Sequence, residues 1–137
     1  MKKPVDDSNT ILVPKFISGL KSTVNNNIIF IDDQTVCYPV GHNVVLYNLE
    51  EKTQRYISGI EGSDGITALA VTRNKKYLAV AEKTSKYPIC TIYDLTTPNL
   101  RRKKFITSND IKSKEFISIA FSPNNQGLLV TLTSDPH

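Results

Sequence analysis

The sequence predicts an all-β fold made of antiparallel four-stranded blades, those of a β-propeller, with about two and a half blades present. Three observations carry this. Short apolar, β-rich runs alternate with polar turns of about two to four residues along nearly the whole chain. The pattern repeats: "ITALAVTRNKKYLAVAE" at 66–82 aligns without gaps on "FISIAFSPNNQGLLVTL" at 116–132. Ile66, Leu69, Val71, Leu78 and Val80 fall on Phe116, Ile119, Phe121, Leu128 and Val130, and the polar turn Arg73 to Lys76 falls on Pro123 to Gln126. Finally, "NVVLYNL" at 43–49 lies on "ICTIYDL" at 89–95. Self-similarity at a period of about 50 residues, with about four strands per unit, is the spacing of propeller blades.

Residues 1–10 are polar and aperiodic and predict a disordered arm. The rest, 11–137, is one partial propeller domain. "ILVPKFISGL", 11–20, forms a strand that Pro14 confines to an edge, because proline donates nothing to a ladder. Blade 1 follows at about 26–58: "NNIIFIDD", "QTVCYPV", "VVLYNL" and "TQRYIS", separated by Asp32-Asp33, Gly41-His42-Asn43 and Glu50-Glu51-Lys52. "GIEGSDG", 59–65, is a glycine-punctuated connection. Blade 2 occupies about 66–107 as "ITALAV", "YLAVAE", "ICTIYDL" and "RKKFIT". After "SNDIKSKE", the start of blade 3 runs over about 115–133 as "FISIAFS" and "LLVTLTS". The first strand of each unit is nearly continuously apolar, as in a strand covered on both faces, and the fourth is polar, as at an outer rim. A β-sandwich would alternate more strictly.

Two and a half blades do not close a ring, and open blade faces would expose more apolar surface than the few hundred Å² a monomer tolerates. The expectation is an N-terminal piece of a longer protein, or a chain completed by its neighbour in an assembly. The early strand 11–20 would then pair with a last blade.

Composition narrows the function classes. With 39% hydrophobic and 22% charged residues the chain is of globular type. No apolar run approaches the roughly 18 residues of a membrane span, and "MKKPVDDSNT" lacks an apolar core behind its lysines, so no membrane role is expected. Cys37 and Cys90 show no metal-ligand spacing and are expected as buried thiols. Net charge is +4 with a pI near 9.1, carried by loop-like clusters: Arg73, Lys75 and Lys76; Arg101 to Lys104; Lys112 and Lys114. Such a surface suits an acidic partner.

The carboxylates, glycine-rich segment and histidines of the chain form no catalytic pattern. Asp6-Asp7, Asp32-Asp33 and Glu50-Glu51 are adjacent pairs, and adjacent positions in extended chain face opposite ways. "GIEGSDG" lacks the Gly-Lys-Ser/Thr ending of a phosphate loop. His42 and His137 have no partner at a diagnostic spacing. The sequence therefore points to no enzyme, with no catalytic, cofactor or metal site and no small-molecule substrate. The candidate partner contact is "LRRKKF", where Arg101, Arg102, Lys103 and Lys104 stand in line on a rim strand. Its alternatives are a nuclear localisation signal and charges that discourage edge pairing.

The endings Tyr47-Asn48 and Tyr93-Asp94 look like the Trp-Asp of WD repeats, and Ser122-Pro123-Asn124 resembles their tight turn, which favours proline at its second position. Over 16–132, the "GL-S-V-NNI" entry, "QRYISG", "KKYLAVAE", "CTIYDL", "RRKK" and "KEFISIAFSP" occur in an order that resembles the N-terminal WD40 propeller region of the cilia- and flagella-associated protein 57 (WD-repeat protein 65) family. That resemblance implies a scaffold of the ciliary and flagellar axoneme. Its implied partners are doublet microtubule and inner dynein arm components, and the rest of a propeller or a neighbouring chain. Stopping after two and a half blades, without coiled coil, departs from the family pattern. The alternative is a WD40 interaction module of a nuclear or nucleic-acid-associated complex. Nucleic acid is disfavoured by the lack of aromatic-basic interleaving.

Overall fold

The computed structural model describes residues 13, 15–107 and 112–134. Ten strands and no helix occur among them. β1 (Ile29–Phe30), β2 (Thr35–Val40), β3 (Asn43–Asn48) and β4 (Thr53–Ser58) form the first antiparallel sheet in chain order. β5 (Ser63–Val71), β6 (Tyr77–Thr84), β7 (Ile89–Asp94) and β8 (Arg102–Thr107) form the second, and β9 (Phe116–Phe121) pairs with β10 (Leu129–Thr133). These antiparallel four-stranded sheets are of the expected fold class. The arm at 1–10 and Pro14 lie outside the described residues.

The alternation of β-strand side chains decides how the blades stack. On one face of blade 2, Leu69, Leu78, Val80 and Tyr93 meet Cys37, Val44, Leu46 and Ile57 of blade 1. On the other face stand Ala68, Ala70, Ala79 and Ala81, and Phe116 and Ile119 of the third unit fill the space those alanines leave. Blade 2 is thus buried on both sides. Ahead of β1, Asn25 bridges in parallel to Ala68, with the Leu69 N–H donating to Asn25 O at 3.2 Å, which draws the inner strands together.

Both blade endings work through a side-chain oxygen that closes the following turn. Asn48 Oδ1 accepts the Glu50 and Glu51 N–H groups at 3.0 and 2.8 Å. Asp94 Oδ1 accepts the Thr96 N–H at 2.9 Å. Short polar side chains of this kind substitute for a backbone partner where a strand must stop.

Four sequence expectations are corrected. Residues 15–20 form no strand; Gln54 takes their hydrogen bonds instead, accepting the Ile17 N–H at 2.8 Å and donating to Ile17 O at 3.0 Å. This segment lies on the outer face of blade 1, where Phe16 meets Tyr47 edge-on at 6.1 Å. The connection 59–65 is shorter than predicted, because β5 begins at Ser63 with an irregular register that Gly65, at φ +134°, permits. First strands are covered on both faces only in β5; Phe30 and Ile117 are exposed in β1 and β9. The gapless repeat slips by one residue beyond the turn: Val71 pairs with Leu78, but Phe121 pairs with Leu129. The extra residue sits in the Asn125-Gln126-Gly127 turn, where Asn125 Oδ1 accepts the Gly127 N–H at 3.0 Å. Leu78 is fully buried in the seam with blade 1, whereas Leu128, left ahead of β10 by the slip, is 53% exposed.

Candidate interaction surfaces

The basic run begins in a turn built to place it. After β7, the Leu100 N–H donates to Thr97 O at 3.1 Å and Leu100 adopts φ +48°, tucking its side chain into the seam between blades 1 and 2. A left-handed leucine costs about 1–2 kcal/mol, offset here by that burial. Arg101 is then held by its own N–H, which donates to Thr97 Oγ1 at 3.0 Å, and by its carbonyl, which accepts from the Asp94 N–H at 2.8 Å.

From there the four cations diverge. Arg102 pairs with Tyr93 and Lys104 with Ile92, so Lys103 is the extra residue of a β-bulge. The bulge turns Lys103 onto Asp94, Nζ to Oδ2 at 3.4 Å. The Thr96 hydroxyl and N–H, joined by Lys103, hold the Asp94 carboxyl below its ordinary range. Arg102 lies toward blade 1, against the Tyr93 phenol. Lys103 and Lys104 both line a groove with Tyr77, Ile92, Ile106, Phe121 and Leu129. All four side chains are exposed, but the structure does not gather them into one stripe. Charge on the free edge of β8 is the arrangement that discourages strand addition there.

The sequence reading passed over Glu82, which ends an apolar run in β6. It is fully buried beneath the connection from blade 1, with Oε1 accepting the Ile60 N–H at 3.0 Å. Its Oε2 and the Thr91 Oγ1 of neighbouring β7 are buried without a hydrogen-bond partner among the described residues. Burial pushes the Glu82 carboxyl above its ordinary range, against the pull of the Ile60 N–H and the Ser63 hydroxyl. Gly59 makes room for this: a Cβ there would stand 2.6 Å from His42 O and 3.0 Å from Glu82 Oε1.

Among the described residues, no group of three or more His, Cys, Asp or Glu side chains gathers to hold a metal, and there is no helix long and apolar enough to cross a membrane. Cys37 and Cys90 are free and fully buried, and burial pushes both thiols up to about 12. Exposed apolar side chains include Phe30 on blade 1, Phe105 on β8 of blade 2, and Ile117, Leu128, Val130 and Leu132 on the third unit.

Stacked four-stranded antiparallel sheets with turn-closing Asn48 and Asp94 define a WD40-type β-propeller segment. Among solved structures, the chain is similar to the Cps50 (Swd1) β-propeller domain of Myceliophteria thermophila, with TM-score 0.62 and 18% identity over 83% of this chain and 34% of that one. No protein-family model matches the chain. Its sequence is 39% identical over 120 residues to cilia- and flagella-associated protein 57 of Mus musculus, covering 88% of this chain and 10% of the relative. It is 34% identical over 115 residues to cilia- and flagella-associated protein 57 C of Tetrahymena thermophila, covering 82% of this chain and 9% of the relative. The blades described here belong with those of the cilia- and flagella-associated protein 57 family, and the expectation of a ciliary and flagellar WD-repeat protein holds. The chain spans about a tenth of the length of these relatives.

Proposed function

We propose that the protein is a non-enzymatic scaffold of the ciliary axoneme whose blades help position inner dynein arms and regulatory complexes on doublet microtubules. The observation that supports this is the 39% identity to a cilia- and flagella-associated relative across 88% of the chain. The physical character of the surface agrees with it. Propeller blades offer edges, rims and faces for protein contact, and the open apolar side chains Val130 and Leu132 call for the remainder of a propeller or a neighbouring chain. On the rim, Arg101 and Lys104 are the cations that an acidic partner would meet first, since Lys103 is bound to Asp94. The test is fractionation of motile cells together with cryo-electron tomography of axonemes from cells lacking the protein. The expected result is retention in membrane-extracted axonemes and loss of a subset of inner arms. Intact inner arms, or a protein confined to the nucleus, would overturn the reading.

A further inference from the structure

A cavity of about 430 Å³ opens where the entry ends of β5 and β9 meet the segment ahead of β1. Its walls include Lys21, Asn25, Asp64, Thr67, Lys83 and Glu115. A second cavity of about 310 Å³ shares Lys83 and Glu115 and adds Lys112, Lys114 and Ser134. The two form one trench at the mouth of the inner strands. Lysines from three separate stretches of chain line it, Lys21, Lys83, Lys112 and Lys114, together with the carboxylate residues Asp64 and Glu115.

The construction of the trench is specific. The Lys21 ammonium packs over Gly65, with Nζ 2.5 Å from where a Cβ on residue 65 would stand. Thr67 Oγ1 is buried in the wall without a hydrogen-bond partner among the described residues. Lys83 and Glu115 form a long pair at 3.8 Å, with side chains 44% and 31% exposed, which an incoming anion can displace. On the rim, by contrast, Lys103 and Lys104 share one groove that Arg101 and Arg102 do not line.

We propose that this trench binds an acidic peptide segment, its aspartate or glutamate side chains meeting Lys21, Lys83, Lys112 and Lys114 and one of them taking the place of Glu115 on Lys83. A peptide fits better than a polyphosphate chain. Asp64 and Glu115 in the walls oppose a contiguous run of phosphates, whereas spaced carboxylates can sit between them. The Thr67 hydroxyl adds a neutral polar group suited to a peptide amide. The inference goes beyond the scaffold reading and needs no particular place in the axoneme.

The experiment measures fluorescence anisotropy on the protein at the length the cell makes it. Its probes are a labelled peptide of alternating glutamate and glycine, the glutamine counterpart and a single-stranded oligonucleotide. The glutamate peptide is expected to bind with an affinity that falls as salt rises. The double variant Lys83→Gln/Lys114→Gln should weaken it by about tenfold or more. The rim variant Arg101→Gln/Lys104→Gln should leave it within about twofold. Glu115→Gln should tighten binding by removing the internal competitor, a gain that a merely damaged fold would not produce. The proposal is overturned by any of four results: no binding of the glutamate peptide, equal binding of the glutamine peptide, equal loss in the rim variant, or an oligonucleotide that binds more tightly.

Discussion

Tyr47-Asn48 and Tyr93-Asp94 end equivalent strands of adjacent blades, and their fates differ. Tyr93 is 5% exposed in the seam between blades 1 and 2. Tyr47 stands on the opposite side of blade 1, half-buried and met edge-on by Phe16. The residue that follows behaves alike in both, closing the turn through a side-chain oxygen. Turn chemistry is therefore local and repeats with the sequence. Burial is a property of the neighbouring blade, and it changes from one unit to the next.

The sharpest break in that comparison is Leu78 against Leu128, which a gapless repeat treats as one position. Leu78→Ala should cost about 2–5 kcal/mol and Leu128→Ala about 0.5 kcal/mol or less, measured as shifts in the denaturant midpoint. Similar losses would mean that the one-residue slip at Gly127 is wrong. Next come two glycines at the edges of blade 1. Gly59→Ala drives a Cβ into His42 O and should cost roughly 1–3 kcal/mol. Gly41→Ala meets open space and carries only the strain of φ +59°, about 1 kcal/mol.

A gentler contrast is electrostatic. The Glu82 carboxyl titrates above its ordinary 4.5, so the folded state prefers it protonated. Its contribution to stability is whole below pH 4.5 and is lost as pH rises through the folded value. Asp94 runs the other way: held below 3.8, it stabilises above that pH and loses its effect as pH falls through the folded value. Glu82→Gln should remove the decline on the neutral side, and Asp94→Asn the decline on the acid side, in unfolding curves taken across pH. A decline on the neutral side that survives in Glu82→Gln would assign it to another group. The smallest expected effect is that of Gln54→Ala. It should free residues 15–20 for faster proteolysis at a global cost of about 1 kcal/mol, because the lost bonds hold only that segment.

The strands β2–β4 and β6–β8 were legible because apolar runs and turn residues mark both ends of each. The 43–49 on 89–95 alignment even placed the strand ends, β3 closing at Asn48 and β7 at Asp94. What the sequence hid depended on single residues or on distant ones. Ile11 to Leu20 has strand composition, and nothing local says that Gln54 will take its backbone groups. The slip at Gly127 and the bulge at Lys103 each turn on one residue, which no period of two or of fifty detects. "RRKK" was visible as charge, but not the bulge that takes Lys103 out of the strand register and onto Asp94. The trench was invisible because Lys21, Lys83, Lys112 and Lys114 come from separated parts of the chain. Only Lys112 and Lys114 had stood out as a cluster, and Glu82 looked like the polar end of an ordinary strand.

The two cysteines sit in different seams, Cys37 between blades 1 and 2 and Cys90 between blade 2 and the third unit. With both thiols pushed up to about 12, neither carries appreciable thiolate while its seam is closed. In an opened seam the thiol returns to a value of about 8.5 and reacts. The molecule thus holds a clock at each seam: the alkylation rate of Cys37 counts how often the first pair of blades parts, and that of Cys90 counts the second. Their ratio orders the seams by how readily they breathe, without any label added to the chain.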